Sequence, residues 1–547
     1  MRTLLLYPQF PKSFWSFEKT LALIGRKAML PPLGLITVAA LLPQDWEFRV
    51  VDRNVTSLTD ADWDWAELVI ISGMIVHRED FCGLIREAKY RGKKVGVGGP
   101  YATSFSQEME AAGADYLILD EGEITIPMFV EALARGETAG KFRALEKPDV
   151  TETPIPRFDL LDLEAYSEMA IQFSRGCPFQ CEFCDIIVLY GRKPRTKTPQ
   201  QLIAELERLY ELGWRRSIFM VDDNFIGNKR NVKILLRELA PWMEERGYPF
   251  TFSTEASVDL ANDQELMDLM TDCNFGSVFL GIETPDESSL EVTKKYQNTR
   301  DPLSESVFKI TRSGLRVMSG FIIGFDGEKS GAGQRIVDFV QKTSIPTAIF
   351  SMLQALPDTA LWHRLEKEGR LRKGEANINQ TSLMNFVPTR PIEEITQEYI
   401  EGFWQLYDPQ NFLDRTYHHY RILGTAPCHA KRREKAKQAK YGKKYAGKTI
   451  DWRMIRALGI ICWRQGILRK TRFTFWWYLL QMFIHNRRGI PSYLGVCAQA
   501  EHFLEYRELV KNNIEQQLAQ YLAEEAAKQA PSEEELVSAS EITSSSP

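Results

Sequence analysis

Over the first 140 residues, short apolar runs alternate with stretches whose apolar residues recur every three or four positions. Leu4–Tyr7, Glu47–Val51, Leu68–Ser72, Lys94–Val97 and Tyr116–Leu119 predict strands, and Pro32–Leu42, Glu79–Tyr90 and Thr125–Ala134 predict helices. Small or acidic residues close the strands: Asp52, Gly73, Gly98-Gly99 and Asp120. This is the pattern of an α/β, doubly wound parallel sheet over residues 1–140, a fold that binds ligands at the carboxyl ends of its strands. Prolines at 148, 154 and 156 predict a linker over 141–165.

A second alternation covers 166–390. Met169–Ser174, Ser217–Val221, Phe250–Thr254, Ser277–Leu280, Val317–Ile323 and Ala348–Met352 predict six strands of a partial parallel α/β barrel. Thr198 is the expected N-cap of its first helix. Pro199 takes the first helical position, Gln201 completes a capping box, and Ile203, Leu206, Leu209 and Tyr210 form the inward face before Gly213. Residues 391–525 read as a helical domain, and 526–547 as a disordered tail rich in Ser and Glu. Within the helical domain Ala430–Lys448 is basic and reads as a solvated helix or loop. Phe473–Ile484 is aromatic and lies between Arg469–Arg472 and Arg487-Arg488. It reads first as a core helix against the barrel, with a helix at a membrane interface as the alternative.

Length and charge narrow the class. A chain of 547 residues, at roughly 100–200 per domain, implies three or four units. A net charge of −5 gives no field that points to nucleic acid, and no such partner is expected. Three of the eight cysteines are clustered and the rest scattered, which suits a reducing compartment and one metal site. The apolar run of MRTLLLYPQF is too short for a secretory signal, and no stretch offers the ~20 apolar residues of a membrane span. A cytoplasmic protein is expected.

The cluster is Ser174-Arg175-Gly176-Cys177-Pro178-Phe179-Gln180-Cys181-Glu182-Phe183-Cys184, directly after a predicted strand. Iron–sulfur cubes are held by cysteine thiolates, and three close cysteines leave one iron open to an outside ligand. A zinc site is the alternative, with a fourth ligand from Cys273 or His363. Acids stand at other strand ends: Asp223, suited to a ligand ammonium, Glu283, suited to ribose hydroxyls, and Glu255. Each could instead cap a helix or pair with a lysine.

The Cys-x3-Cys-x2-Cys spacing, with Phe183 before the last cysteine, resembles the radical S-adenosylmethionine (SAM) superfamily. The resemblance implies a [4Fe–4S] cluster on Cys177, Cys181 and Cys184 that reduces SAM to a 5′-deoxyadenosyl radical. It also implies SAM contacts along Gly320–Gly324. A doubly wound domain in front resembles the cobalamin-binding subclass, with Pro31–Gly34, Ser72-Gly73, Gly98-Gly99 and Glu121-Gly122-Glu123 near the cofactor. No Gly-x-Gly-x-x-Gly follows the first strand, and no Asp-x-His-x-x-Gly is present to supply an axial histidine. His77 reads as a helix-start residue, with approach to the ligand as the lesser reading. The runs Cys184–Arg195, Val221–Asn228 and Leu353–Pro357 resemble the hopanoid C-2 methylase group. That resemblance implies methyl transfer from methylcobalamin to a carbon radical of a small molecule or lipid. A flavodoxin or ferredoxin would donate electrons, with peripheral contact at the inner face of a membrane. Radical ring closure on a porphyrin and a sensor without turnover remain as alternatives.

Overall fold

The computed structural model describes residues 1–372, 378–427 and 452–529. The basic run Ala430–Lys448 and the tail from Pro531 lie outside the described residues.

Strands β1 (Arg2–Tyr7), β2 (Glu47–Asp52), β3 (Leu68–Ser72), β4 (Lys94–Gly98), β5 (Tyr116–Ile118) and β6 (Gly140–Phe142) form one parallel sheet in the order 2-1-3-4-5-6. Successive side chains of β1 enter different cores. Leu5 packs with Leu35, Ala39 and Phe129 under helices Leu33–Leu41 and Gly122–Ala134. Leu4 and Leu6 pack with Phe81, Leu84 and Ile85 under helix Arg78–Tyr90. Burial on both faces explains why the strands read as unbroken apolar runs. The chain order reverses between β1 and β3, which opens a crevice at the carboxyl ends of these strands.

The expected domain boundary shifts here. Gly140–Phe142 pairs with Tyr116–Ile118 as an edge strand, so the first unit runs past residue 140 and the linker starts later than 141.

The second sheet is parallel and six-stranded: β7 (Met169–Ile171), β10 (Ser217–Met220), β11 (Thr251–Ala256), β12 (Phe275–Glu283), β13 (Arg316–Ile323) and β14 (Thr347–Met352), side by side in that order. The first predicted strand is cut short. After Gln172 the chain turns into a separate antiparallel ribbon, β8 (Ser174–Arg175) with β9 (Arg195–Thr196), because the Asp222 carboxylate accepts hydrogen bonds from the amides of Phe173 (2.8 Å) and Ser174 (2.7 Å).

Helix Pro199–Glu211 starts as expected, with Thr198 Oγ1 accepting from the Gln201 amide at 3.2 Å, but the capping box is half made. The Gln201 side chain instead donates to the carbonyls of Val150 (3.2 Å) and Thr153 (2.8 Å) and holds the linker down. The inward face is Leu202, Glu205, Leu206 and Leu209, with Ile203 and Tyr210 only half-buried. Glu205 belongs there because it forms a buried ion pair with Lys197.

Helices Ile392–Leu406, Pro409–Leu423, Trp452–Trp463, Arg472–His485 and Ile490–Gln529 complete the chain. The last helix reaches past the expected tail boundary at 526. The aromatic helix does not have the all-round burial expected of a core helix: Phe475, Leu479 and Met482 are buried, and most of its other large side chains face outward.

Gly99 shows how tightly the β4 turn is drawn. Its φ is +88°, and a Cβ there would lie 2.7 Å from Ser72 Oγ. Gly99→Ala should cost about 1–3 kcal/mol, read as a lower urea midpoint. In a Ser72→Ala background the penalty should shrink and persist, since the backbone strain remains. An unchanged midpoint in both would refute the close approach.

Candidate functional site

The cysteine loop, residues 176–194, is closed at its base by the β8–β9 ribbon and pinned from three sides. Arg175 donates to Glu121 (2.8 Å) and to both carboxylate oxygens of Glu123 (2.8 and 2.9 Å), and Arg195 donates to Glu121 at 2.8 and 3.0 Å. Glu121 and Glu123 follow β5, so these pairs join the carboxyl-end crest of the first sheet to that of the second. Within the loop Glu182 accepts from Arg364 at 2.6 Å, and its carbonyl accepts from the Leu361 amide at 2.9 Å. Lys147 donates to the Leu189 carbonyl.

Cys181 is buried, and Cys177 and Cys184 are half-buried. Burial pushes the Cys184 thiol well up, and the neighbouring Asp185 carboxylate and the other two cysteines add to it. Burial raises Cys177 too, with smaller contributions from Cys181 and Asp223, against hydrogen bonds from the Phe179 amide and Asn224. Two amides are directed at these sulfurs: Asn224 Nδ2 lies 3.8 Å from Cys177 Sγ, and Gln297 Nε2 lies 3.6 Å from Cys181 Sγ. Among the described residues no three Cys, His, Asp or Glu side chains converge on a single-ion site. The two residues considered as a fourth zinc ligand have other surroundings. Cys273 is buried and donates to the Leu236 carbonyl at 3.2 Å, and His363 is exposed beside Glu366.

The strand-end acids share one wall. Asp223, Glu255 and Glu283 follow or end the neighbouring strands β10, β11 and β12. Burial, then Asp222 and Asp185, push Asp223 up to about 7, and its Oδ2 has no protein partner. Burial, then Asp223, Asp222 and Glu283, push Glu255 up to about 8. Glu283 is different. It ion-pairs with a lysine, as its alternative reading had it, though Lys295 is buried and not at the surface. Gly281 makes room for the pair: a Cβ there would lie 2.6 Å from Glu283 Oε1 and 2.8 Å from Lys295 Nζ. The Lys295 ammonium also sits 5.8 Å from the centre of the Phe183 ring. Gly320 lies beside Phe279 and Ile349, and the space over Gly324 is taken by Met384, whose Cε would be 2.6 Å from an added Cβ.

In the first unit the glycines serve the chain's own packing. A Cβ on Gly98 would lie 2.9 Å from the Ile118 carbonyl, one on Gly73 would lie 3.1 Å from His77 Nδ1, and one on Gly122 would touch Ile126 and Leu41 at 3.4 Å. Glu123 is also committed. Burial alone would raise its carboxyl, but the Arg175 fork overrides this and holds it at about 2, and Thr153 donates to it at 2.6 Å. His77 opens a helical turn, as its preferred reading had it. Its Nδ1 accepts from the Met74 amide at 3.0 Å, so Nε2 carries the proton, without a protein partner, between the rings of Tyr7 and Phe10. Burial lowers this imidazole to about 4.

A cysteine loop after the first strand of a partial parallel barrel, matched by the radical SAM superfamily over residues 171–340, defines a radical SAM enzyme. The chain belongs, more narrowly, to the family that includes the hopanoid C-2 methylase of Rhodopseudomonas palustris, to which it is 34% identical over 92% of this chain and 93% of that one. It is 63% identical to an uncharacterized methyltransferase of Synechocystis sp., over 96% of this chain and 95% of that one. A domain of unknown function matches residues 359–516. Among solved structures, the cobalamin-dependent SAM radical enzyme OxsB shares the fold at a TM-score of 0.56 (14% identity; 95% of this chain, 83% of that chain). The radical SAM methyltransferase TsrM of Kitasatospora setae does so at 0.59 (16% identity; 75% and 90%).

Sequence reasoning gave no working part to Arg175, Arg195, Lys295 or Gln297, and it placed Glu121 and Asp222 near a ligand without the contacts they make. Arg175, Glu121 and Asp222 adjoin residues it singled out. Lys295 and Gln297 stand in a stretch with no periodicity to mark them.

The acid wall makes a pH prediction. The native pKa of Glu255 is raised from 4.5 to about 8, so its protonated form contributes stability that is complete below 4.5 and lost as pH rises toward about 8. Glu255→Gln should therefore raise the Tm of ligand-free protein more at about pH 8 than at about pH 5. Equal gains at both would place the titration elsewhere.

Proposed function

We propose that the protein is a cobalamin-dependent radical SAM methyltransferase that adds a methyl group to an unactivated carbon of a polycyclic, hopanoid-like lipid. One observation carries this reading. The likeness to the hopanoid C-2 methylase covers 93% of that enzyme, N-terminal sheet and C-terminal helices included, and is not confined to the cysteine loop.

The donor set suits the cofactors. Cys177, Cys181 and Cys184 would hold a [4Fe–4S] cluster; burial and repulsion disfavour the free thiolates of Cys177 and Cys184, and coordination to iron would relieve both. When bound, the cluster supplies the electron that splits SAM, and cobalamin supplies the methyl group. The chain's own residues bind and orient. Asp223, unpartnered and beside Asp222 and Glu255, suits the positive charge of SAM. Asn224 and Gln297 donate N–H to the sulfurs. Phe279, Ile322 and Ile349 give the barrel an apolar lining that keeps water from a carbon radical. The crevice at the ends of β1, β3 and β4, with Ser72, Gly73, Gly98 and Gly99 in its floor, suits cobalamin. The Arg175 and Arg195 pairs support a cofactor on that crest facing the barrel. Electrons would come from a flavodoxin or ferredoxin, and a bilayer lipid as substrate would put the enzyme at the inner face of a membrane.

Incubation with SAM labelled in its methyl group, under strong reductant, should give labelled lipid with S-adenosylhomocysteine. Release of 5′-deoxyadenosine with no methylated product would defeat the methyltransferase reading. Cys177→Ala, Cys181→Ala and Cys184→Ala should each lose the broad visible absorption of the cluster. Gln297→Leu should retain it and lower its midpoint potential, because an N–H near a sulfur stabilises the reduced, more negative state. An unchanged potential would show that the 3.6 Å contact does not persist in the loaded protein.

A further inference from the structure

The helix Arg472–His485 is largely apolar around its axis, yet its neighbours bury only Phe475, Leu479 and Met482, with Tyr478 half-buried against Tyr417. Phe473, Trp476, Trp477, Leu480, Phe483 and Ile484 stand in solvent, Phe473 at 76% exposure and Trp477 at 58%. A helix apolar all round is ordinarily enclosed by protein or by lipid. The surface continues onto helix Trp452–Trp463 and the turn Arg464–Leu468, which Trp476 fastens to its own helix by donating to the Gly466 carbonyl at 2.9 Å. Of the twenty-six large apolar side chains exposed among the described residues, eleven fall between Ile455 and Ile484. So dense a patch marks an interaction surface.

Charge selects the partner. Residues 452–500 contain eight Lys or Arg and no Asp or Glu, in a chain whose net charge is −5. Exposed Lys470 and Arg472 stand at one end of the aromatic helix and exposed Arg487 and Arg488 at the other. Trp and Phe over an apolar body with cations at its rim suit the level of lipid headgroups. No described helix is long and apolar enough to cross a membrane.

We propose that helices Trp452–Trp463 and Arg472–His485 dock flat on an anionic bilayer surface. The proposal deepens the lipid reading given above and rests on it only for the purpose of docking. The patch also adjoins the barrel through one short segment. Helix Glu18–Leu23 packs against helix Trp452–Trp463, and Trp15, just before it, meets the Phe279 ring of the barrel wall at 6.0 Å. A lipid leaving the bilayer at this patch would have a short route to the barrel.

The test uses the full chain, reconstituted anaerobically, with vesicles of phosphatidylglycerol mixed with phosphatidylcholine and with vesicles of phosphatidylcholine alone. The protein should co-sediment with the anionic vesicles and release at high salt. Phe473→Ser/Trp477→Ser/Leu480→Ser should weaken binding by about tenfold or more. These side chains are exposed, so circular dichroism and 5′-deoxyadenosine formation in lipid-free buffer should match the parent. Lys470→Glu/Arg472→Glu should weaken binding to the anionic vesicles specifically. Equal vesicle binding by parent and triple variant would overturn the proposal. So would a lipid-free dimer that the triple variant dissociates, with no vesicle binding by the parent, because the patch would then belong to a second copy of the chain. Vesicle binding and methyl transfer are read separately, so failure of one leaves the other standing.

Discussion

Two arginines and two glutamates, nearly removed from solvent, join the halves of this enzyme. Arg175 and Arg195 keep 13% and 14% of their side-chain surface exposed, and Glu121 and Glu123 keep 4% and 7%. Buried charges are costly unless every oxygen and N–H finds a partner, and removing one member of such a set typically costs about 3–5 kcal/mol. Here the forks are well satisfied. Both oxygens of each carboxylate accept from a guanidinium, and Arg195 also donates to the carbonyls of Pro148 and Tyr190. The pairs lie at the carboxyl ends of both sheets, where each fold would bind its ligand, and they close the base of the cysteine loop. One contact thus sets both the shape of the loop and its distance from the N-terminal crest. Specificity of arrangement, more than net stability, is what a satisfied buried ionic group offers such a junction.

The barrel wall shows the complementary situation, charge without a partner. Asp222 is satisfied by the strand it redirects, and Glu283 by Lys295. Asp223 and Glu255 are left facing one another's field, and burial with that field raises both carboxyls far above the range of carboxyls in water. A site in this state has a stored preference for a cation. Binding one would release protons and relieve repulsion together. The mobile quantity here is the proton inventory of the wall, while the backbone beneath is a regular parallel sheet.

Much of this was legible in the chain. Both parallel sheets could be read because strands buried on two faces leave long apolar runs with a small residue at the end, as at Lys94–Gly98. The cysteine loop was legible because its three thiols are close in sequence. The misses have physical causes. Gly140–Phe142 is a three-residue edge strand with only Phe142 buried, too short to announce itself. The Gln201 side chain was read by local rules but is held by Val150 and Thr153, fifty residues away. For Glu283 a lysine partner was one of two readings, but Lys295 could not be named, because it reaches the carboxylate only across the space left by Gly281. The glycines of the first unit were read as openings for a flat ligand, and what an added Cβ would meet at Gly98, Gly99 and Gly73 is Ile118, Ser72 and His77, the chain itself. The aromatic helix was the hardest case, since an apolar sequence records that water is disfavoured and not which apolar phase replaces it.

The last helix, Ile490–Gln529, has forty residues and so spans ~60 Å. Its His502 Nε2–H donates to the carbonyls of Ser13 and Phe14 at 3.1 and 3.0 Å, Glu505 ion-pairs with Lys19, and Phe503 packs against Phe14. Nearly five hundred residues separate these partners. The N-terminal sheet has all its strands once Phe142 has been made, but the segment that follows β1 finds its seat only when helix Ile490–Gln529 exists. A turn made early therefore settles late, and its closing couples the first sheet to the last described helix.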